Sequence, residues 1–297
     1  MTGITVTPLA SSLGAEVSGI DLRQSLDHDI LAELQEAWGR HLVLRFRGQA
    51  LTDPELLAFS RVFGDLDPPG PNPYGKPFLS EFPEINVISN VKVDGVPIGN
   101  LGDGEAVWHC DMTYVERPPR AALLHALEVP PGGGDTYWSN MYLVYETLPD
   151  RVKALIDGRK AIHDATYNSA GMMRKGMKEV TDPREAPGAH HPLVIVHPDT
   201  GRPALFLGRR RNSYVLGMDI DESNTLLDAL WEHATKSEFT FRQEWRQHDL
   251  ILWDNRCTLH RRDAFDPAAT RIMHRTQIKG TALQAFDATT AGLALES

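Results

Sequence analysis

Trp108-His109-Cys110-Asp111-Met112-Thr113, read with the distant stretch Asp249-Leu-Ile-Leu-Trp-Asp-Asn-Arg-Cys-Thr-Leu-His260, decides how this chain is understood. In an extended strand, residues i and i+2 point to the same side. His109 and Asp111 can therefore grip one ion while Cys110 faces away. A third ligand must come from another strand, and His260 sits in an apolar run suited to one. Two imidazoles and one carboxylate cover one face of an octahedron around Fe(II) and leave the other face open for small molecules. Three such ligands plus water also suit Zn²⁺.

An H-x-D triplet alone arises by chance in many proteins, so its surroundings matter. Upstream, Asp67 to Pro77 holds five prolines and cannot form regular structure. It belongs to a loop region near 65–104 expected to reach the site. Downstream, residues 167–188 are polar, rich in Lys, Arg and Met, and without clear periodicity, which predicts a second loop over the site. Between and beyond these loops the chain alternates short apolar strands with a few helices. Ile30, Leu31, Leu34 and Trp38 recur at helical spacing. Thr52, Pro54 and Glu55 spell a helix start with a capping box. Further helices are expected near 140–146, 151–157 and 221–235. Strands are expected at 41–46, 121–127, 192–197, 204–207, 239–243, 250–253 and 272–278. Many short strands with Gly/Pro turns point to a mainly β sandwich or jelly roll with flanking helices. No repeat or linker divides the chain, so one domain over residues 1–297 is expected.

The bulk numbers narrow the partners. A formal charge of −10 and a pI near 5.6 give no overall basic field for nucleic acid. No uncharged apolar run approaches the length of a membrane span, and the N-terminus lacks the pattern of a signal peptide. The two cysteines, Cys110 and Cys257, each lie near a proposed ligand, and free thiols in a reducing cytoplasm are the simpler expectation.

Further segments appear in a fixed order: Gly132-Gly-Gly-Asp-Thr136, then Trp253-Asp-Asn-Arg256 with His260, then Arg271-Ile-Met-His-Arg275. With Trp108 to Thr113 and the N-terminal Gly14 to Leu22 segment, they make the chain resemble the taurine dioxygenase and 2,4-dichlorophenoxyacetate dioxygenase family. These are Fe(II)- and 2-oxoglutarate-dependent oxygenases. The resemblance runs to about Gly280, nearly the whole chain. It implies a double-stranded β-helix (jelly roll) with the metal at one open end. It also implies Fe(II), with 2-oxoglutarate and O₂ as cosubstrates, in a reaction that yields succinate and CO₂ and hydroxylates a C–H bond.

The resemblance gives His109, Asp111 and His260 as metal ligands and catalytic residues. Arg271, eleven residues after His260, matches the arginine that holds the far carboxylate of 2-oxoglutarate. A guanidinium can grip a carboxylate through two parallel hydrogen bonds, which Lys cannot reproduce. Thr136 matches the hydroxyl that bonds the same carboxylate. Arg275 matches the arginine for the anionic end of the prime substrate, and four residues from Arg271 in a strand it can face the same side. Asp111 argues for hydroxylation rather than halogenation, since related halogenases lack this carboxylate.

The chain departs from the taurine enzyme after Phe63-Gly-Asp-Leu66, where Asp67 to Gly70 offer no histidine, and at Glu105, where an asparagine is missing. Taurine itself is therefore not the expected substrate. Tyr74, Met112, Tyr114 and the cluster Arg209-Arg-Arg-Asn212 are candidates for a different pocket, although three adjacent arginines usually form a solvated turn. A small sulfonate, sulfate or carboxylate is expected. Hydroxylation next to a heteroatom would cleave a C–S, C–O or C–N bond. The family precedent favours a homodimer or homotetramer. Two other readings stand beside this one: a non-catalytic metal-binding jelly roll, and a zinc-dependent hydrolase.

Overall fold

Strand Leu250–Asp254 is buried along its whole length, and its side chains alternate between two cores. Leu250 and Leu252 face one way and Ile251 and Trp253 the other, as a period of two requires of a strand covered on both faces. Its neighbours follow the same rule: Leu44 and Phe46 of Val43–Phe46, and Ala121 and Leu123 of Ala121–Glu128, join the first core. Val43, Ala122 and Leu124 join the second.

The computed structural model describes residues 3–70 and 77–287. The large sheet has nine strands. Its path runs Thr5–Pro8, Ala15–Ser18, Val43–Phe46, Leu250–Asp254, Ala121–Glu128, Ile272–Ile278, Asn86–Ser89, Asn100–Leu101, with Leu66–Asp67 added against Ile272–Ile278. Helices α1 (His28–His41) and α2 (Asp53–Arg61) cover one face through Leu34, Trp38, Leu56 and Phe59. The second helix starts at the capping box the sequence signals, and the first is capped by Asp27. Asp27 accepts from the Ile30 amide at 2.8 Å, and Glu55 accepts from the Thr52 amide at 2.7 Å and its hydroxyl at 2.8 Å.

Against the other face lies a four-stranded sheet in the order Thr240–Gln243, Thr136–Asn140, Thr258–Arg262, Ala106–His109. The two sheets meet through Trp138 and Phe241 on one side and Val43, Ile251, Trp253 and Met273 on the other. The Trp138 and Trp253 rings lie 5.7 Å apart. Beyond the small sheet, α3 (Met141–Glu146) and α5 (Ile220–Ala234) build a third core, which also takes in Cys110 and Cys257.

The architecture corrects the expectation of a mainly β, double-stranded β-helix (jelly roll). Among the described residues hydrogen bonding is divided among five separate sheets, and each runs from one free edge to another with no ladder returning to its start. The fold is a mixed α/β arrangement of several open sheets with helices as covering layers. Turn-rich spacing of short strands reports how many strands there are, but closure depends on which edges pair. Here helices and connecting segments do part of the covering that a closed sheet would do. Smaller differences concern boundaries: residue Phe239 ends a 3₁₀ turn and the strand starts at Thr240, and the expected 151–157 helix is α4 (Asp150–Ile156).

Because Leu252 is fully buried between the large sheet and the helices, Leu252→Ala is expected to lower the unfolding free energy by about 2–5 kcal/mol. Val93→Ala, at a position 57% exposed, should change it by less than about 0.5 kcal/mol. Urea denaturation of the two variants checks both.

Candidate active site

The register of the small sheet brings the functional side chains into rows. Trp138 pairs with His260, and His260 pairs in turn with His109. Two residues along, Thr136 pairs with Arg262. Facing this row, the large-sheet strand Ile272–Ile278 and the residue before it place Arg271, Met273 and Arg275 on one side, at i, i+2 and i+4. His274 points the other way, where its Nδ1 lies 2.6 Å from the Asp53 carboxylate of α2.

His109, Asp111 and His260 come together with one ligand atom each, all within 4.8 Å of one another. His109 Nε2 lies 3.6 Å from Asp111 Oδ1, and His260 Nε2 lies 3.8 Å from Asp111 Oδ2. All three are buried. His109 Nδ1 is 2.7 Å from the Val107 carbonyl oxygen; a proton on Nδ1 donated there leaves Nε2 as the ligand atom. Burial pushes both imidazoles below their ordinary range, His260 furthest, which keeps them neutral. Burial alone would raise the Asp111 carboxyl, but the Arg275 guanidinium outweighs it and holds it well below the usual carboxylate range. Neutral imidazoles and an ionised carboxylate are the protonation states a divalent metal needs.

One detail differs from the simple strand argument. The strand Ala106–His109 stops at the first ligand, and Asp111 stands in the turn that follows. Asn255 holds that turn. Its Oδ1 accepts from the Asp111 amide at 2.9 Å, and its Nδ2 donates to the Asp111 and Pro119 carbonyls, each at 2.9 Å. Cys110 faces away as expected, with its thiol against the Asn255 carbonyl at 2.9 Å. A second cluster, His197, Asp254 and Cys257, also gathers ligand-type atoms. There the Asp254 oxygens already accept from Arg256 and His197, so they are committed to an ion-pair network.

A cavity between the two sheets joins His109 and His260 to Thr136, Leu124, Arg271 and Arg275. Arg271 is 1% exposed, its Nε has no partner, and no carboxylate pairs with it among the described residues. Burial and the neighbouring Arg262 push its guanidinium well below its usual range. A buried, unpaired cation costs several kcal/mol and is relieved by an anion. Thr136 Oγ1 accepts from Trp245 Nε1 at 3.0 Å, which leaves the hydroxyl proton free to donate. The donor set thus fits a divalent metal, and the unpaired Arg271 guanidinium with the free Thr136 hydroxyl fits a carboxylate in the same cavity.

Arg275 takes a place the sequence did not foresee: its Nη1 donates to both Asp111 oxygens, at 2.9 and 3.0 Å. It also lines a second cavity on the other side of Asp111, with Met112, Tyr114, Arg174 and Arg209. Gly70 closes over this cavity so tightly that an added Cβ would stand 2.5 Å from the Tyr114 hydroxyl. Tyr74 lies outside the described residues. In the arginine triplet, Arg210 pairs with Asp228 and Arg211 stacks 3.4 Å over the Tyr167 ring, while Arg209 turns to the cavity. Arg174, Asn255 and Trp245 were not singled out from sequence. The only available signal was the Trp253-Asp-Asn-Arg256 motif that contains Asn255.

Two imidazoles, a carboxylate and an unpaired buried guanidinium around one cavity define the site of a metal- and 2-oxo-acid-dependent oxygenase. The chain belongs to the taurine catabolism dioxygenase TauD, TfdA family, whose model matches residues 5–277. It is 34% identical over 280 residues to an alpha-ketoglutarate-dependent 2,4-dichlorophenoxyacetate dioxygenase of Cupriavidus pinatubonensis, covering 92% of this chain and 96% of that one. It is 31% identical to an (S)-phenoxypropionate/alpha-ketoglutarate-dioxygenase of Delftia acidovorans, covering 94% and 96%. Among solved structures it is similar to AAD-2 in complex with Mn(II) and N-oxalylglycine, with a TM-score of 0.77 at 31% identity over 95% of this chain and 99% of that one. A taurine dioxygenase from Burkholderia xenovorans matches with a TM-score of 0.76 at 32% identity, over 98% and 99%. The protein is an Fe(II)- and 2-oxoglutarate-dependent dioxygenase acting on a small anionic substrate. The non-catalytic and zinc-hydrolase readings fall with that result. No helix among the described residues is long and apolar enough to cross a membrane.

Asn255→Ala removes the side chain that fixes the Asp111 turn and is expected to weaken metal affinity by about 10- to 100-fold. Anaerobic Mn(II) titration followed by electron paramagnetic resonance measures it.

Proposed function

We propose that His109, Asp111 and His260 hold the ferrous ion, that Arg271 and Thr136 hold the far carboxylate of 2-oxoglutarate, and that Met112, Tyr114 and Arg275 face the prime substrate. The observation that carries this reading is the unpaired Arg271 guanidinium, buried in the same cavity as the two imidazoles. With 2-oxoglutarate and O₂, the iron supplies the oxidising power for hydroxylating a C–H bond. The chain's own residues position and protect. Asn255 aligns Asp111, Trp138 and Trp253 flank the His260 ring, and Trp245 orients the Thr136 hydroxyl. Arg275, bonded to Asp111, keeps that carboxylate ionised and offers its remaining donors to the substrate cavity.

Relatives named for phenoxyalkanoates, and others named alkylsulfatase and sulfate ester dioxygenase, support an organic acid or sulfate as substrate. With such substrates hydroxylation beside the heteroatom ends in C–O cleavage; taurine is disfavoured by the changes at Asp67 to Gly70 and Glu105. The finer organisation belongs to the same reading. One catalytic domain spans residues 1–297, and loops near 65–104 and 167–188 form the substrate side. The enzyme is a cytoplasmic homo-oligomer, a dimer or tetramer, with no nucleic-acid partner. Two buried free cysteines and the charge of −10 are in keeping with that.

Succinate release on admitting O₂ to the Fe(II)-loaded protein, screened over sulfonates, sulfates, aryloxyacids and N-substituted amino acids, tests the reading. One class should stimulate turnover. Arg271→Ala should raise the KM for 2-oxoglutarate on the order of a hundredfold, since it removes one partner of a buried charge pair. Asp111→Ala should abolish metal binding and turnover. An unchanged KM in the Arg271 variant would sink the assignment of the cosubstrate clamp.

A further inference from the structure

The cavity beyond Asp111 carries more positive charge than one ordinary anion can offset. Three guanidinium groups line it, from Arg174, Arg209 and Arg275, against the single carboxylate of Asp111. Asp111 is already taken by Arg275. Arg174 is 8% exposed, donates Nη1 to the Ala165 carbonyl at 2.6 Å, and lies 4.0 Å over the Tyr114 ring. Those contacts fix its position, and the buried Asp164 carboxylate nearby favours its charge. Arg209 has a buried Nε with no partner. Burial first, then Arg174 beside it, pushes its guanidinium down to about 10. Two like charges are thus held close together in a partly dry cavity, an arrangement that favours an anion between them.

A bound ferrous ion and 2-oxoglutarate cancel each other in charge, and the carboxylates of Asp111 and the buried Asp164 offset two of the four guanidiniums of Arg174, Arg209, Arg271 and Arg275, which leaves two. A substrate with a single negative charge would therefore leave a surplus of buried cations. Arg209 also forms the wall to an outer cavity of about 520 Å³, whose apolar lining comes from Trp108, Tyr167 and Trp231 and whose rim carries Glu105, Asp164 and Glu232. That cavity suits an apolar body.

We infer that the prime substrate carries a tetrahedral dianion, a phosphate or phosphonate, held by Arg174 and Arg209, with an aromatic or aliphatic body extending past Arg209 into the outer cavity. The inference rests on the metal and cosubstrate roles given above and puts a doubly charged group in place of the sulfate or carboxylate named there.

Phenyl phosphate and phenyl sulfate, matched in shape, serve as probes. The second ionisation of a phosphate monoester lies near pH 6, so at pH 7.5 the two differ by one charge. Calorimetric titration of the anaerobic Fe(II)- and 2-oxoglutarate-loaded enzyme should give at least about tenfold tighter binding of the phosphate. Arg174→Gln and Arg209→Gln should each bring the ratio towards one, with 2-oxoglutarate affinity and circular dichroism unchanged. Equal affinities in the unmodified enzyme, or a ratio untouched by both substitutions, overturns the inference. Should the variants not fold, the pH arm decides. In the unmodified enzyme the phosphate-to-sulfate ratio should rise between pH 5 and 7.5, and a flat ratio is a refutation. Failure of 2-oxoglutarate to bind would instead strike the site roles proposed above, and the probe ratio would still report on the two arginines.

Discussion

Asn255 ties together parts of the fold that would otherwise be independent. It stands in the short connection between Leu250–Asp254 of the large sheet and Thr258–Arg262 of the small one. From there its amide satisfies both backbone groups of Asp111 and one of Pro119. The two sheets, the first ligand pair and the third ligand therefore share one hydrogen-bonded junction. Buried polar groups of this kind must be fully satisfied, since a partly satisfied network loses its desolvation cost without recovering it. Asn255 is fully buried and every atom of its side chain that can bond does so.

Around that junction the protein concentrates charge where its fold can least screen it. Arg271, Arg275 and Arg174 are buried or nearly so, and only Arg275 has a carboxylate partner. Elsewhere buried arginines are held by protein acceptors: Arg256 pairs with Asp254, whose carboxylate also accepts from His197, and Arg262 donates to the Leu101 and Gly104 carbonyls. The contrast separates two uses of the same side chain. Paired arginines hold elements of the fold together. Unpaired ones mark the places where anions complete the structure.

Much of the site could be read from the chain because its chemistry is local. His109 and Asp111 are two residues apart, and Arg271 and Arg275 are four apart on a strand whose alternation aims both inward, with His274 outward. The helix start at Thr52 was equally legible, since a capping box is a matter of a few consecutive residues. What escaped depends on contacts between distant segments. Arg174 sits in an aperiodic stretch, and nothing in its neighbours tells that it will lie over Tyr114. Trp245 reaches Thr136 across 109 positions. Sheet closure failed for the same reason: alternation states which face a residue takes, but which edges pair depends on the whole packing. The turn at Asp111 shows the limit at its smallest scale. Strand geometry suggested the right partners although the strand ends one step too soon, because Asn255 supplies what the ladder does not.

The two sides of the iron site are built from different material. His260, Thr136 and Arg271 stand in or beside sheet strands buried on both faces, where a change of side chain is felt by several packed neighbours. Tyr114, Gly70 and Arg174 come instead from turns and irregular stretches. Such segments tolerate replacement far better than strands locked between two cores. On the roles proposed above, the half of the reaction that activates oxygen is thus anchored in rigid framework, and the half that chooses what is oxidised is carried by replaceable chain. A lineage with this division can acquire new substrates by rewriting a few surface stretches, while the machinery that activates oxygen stays as it was.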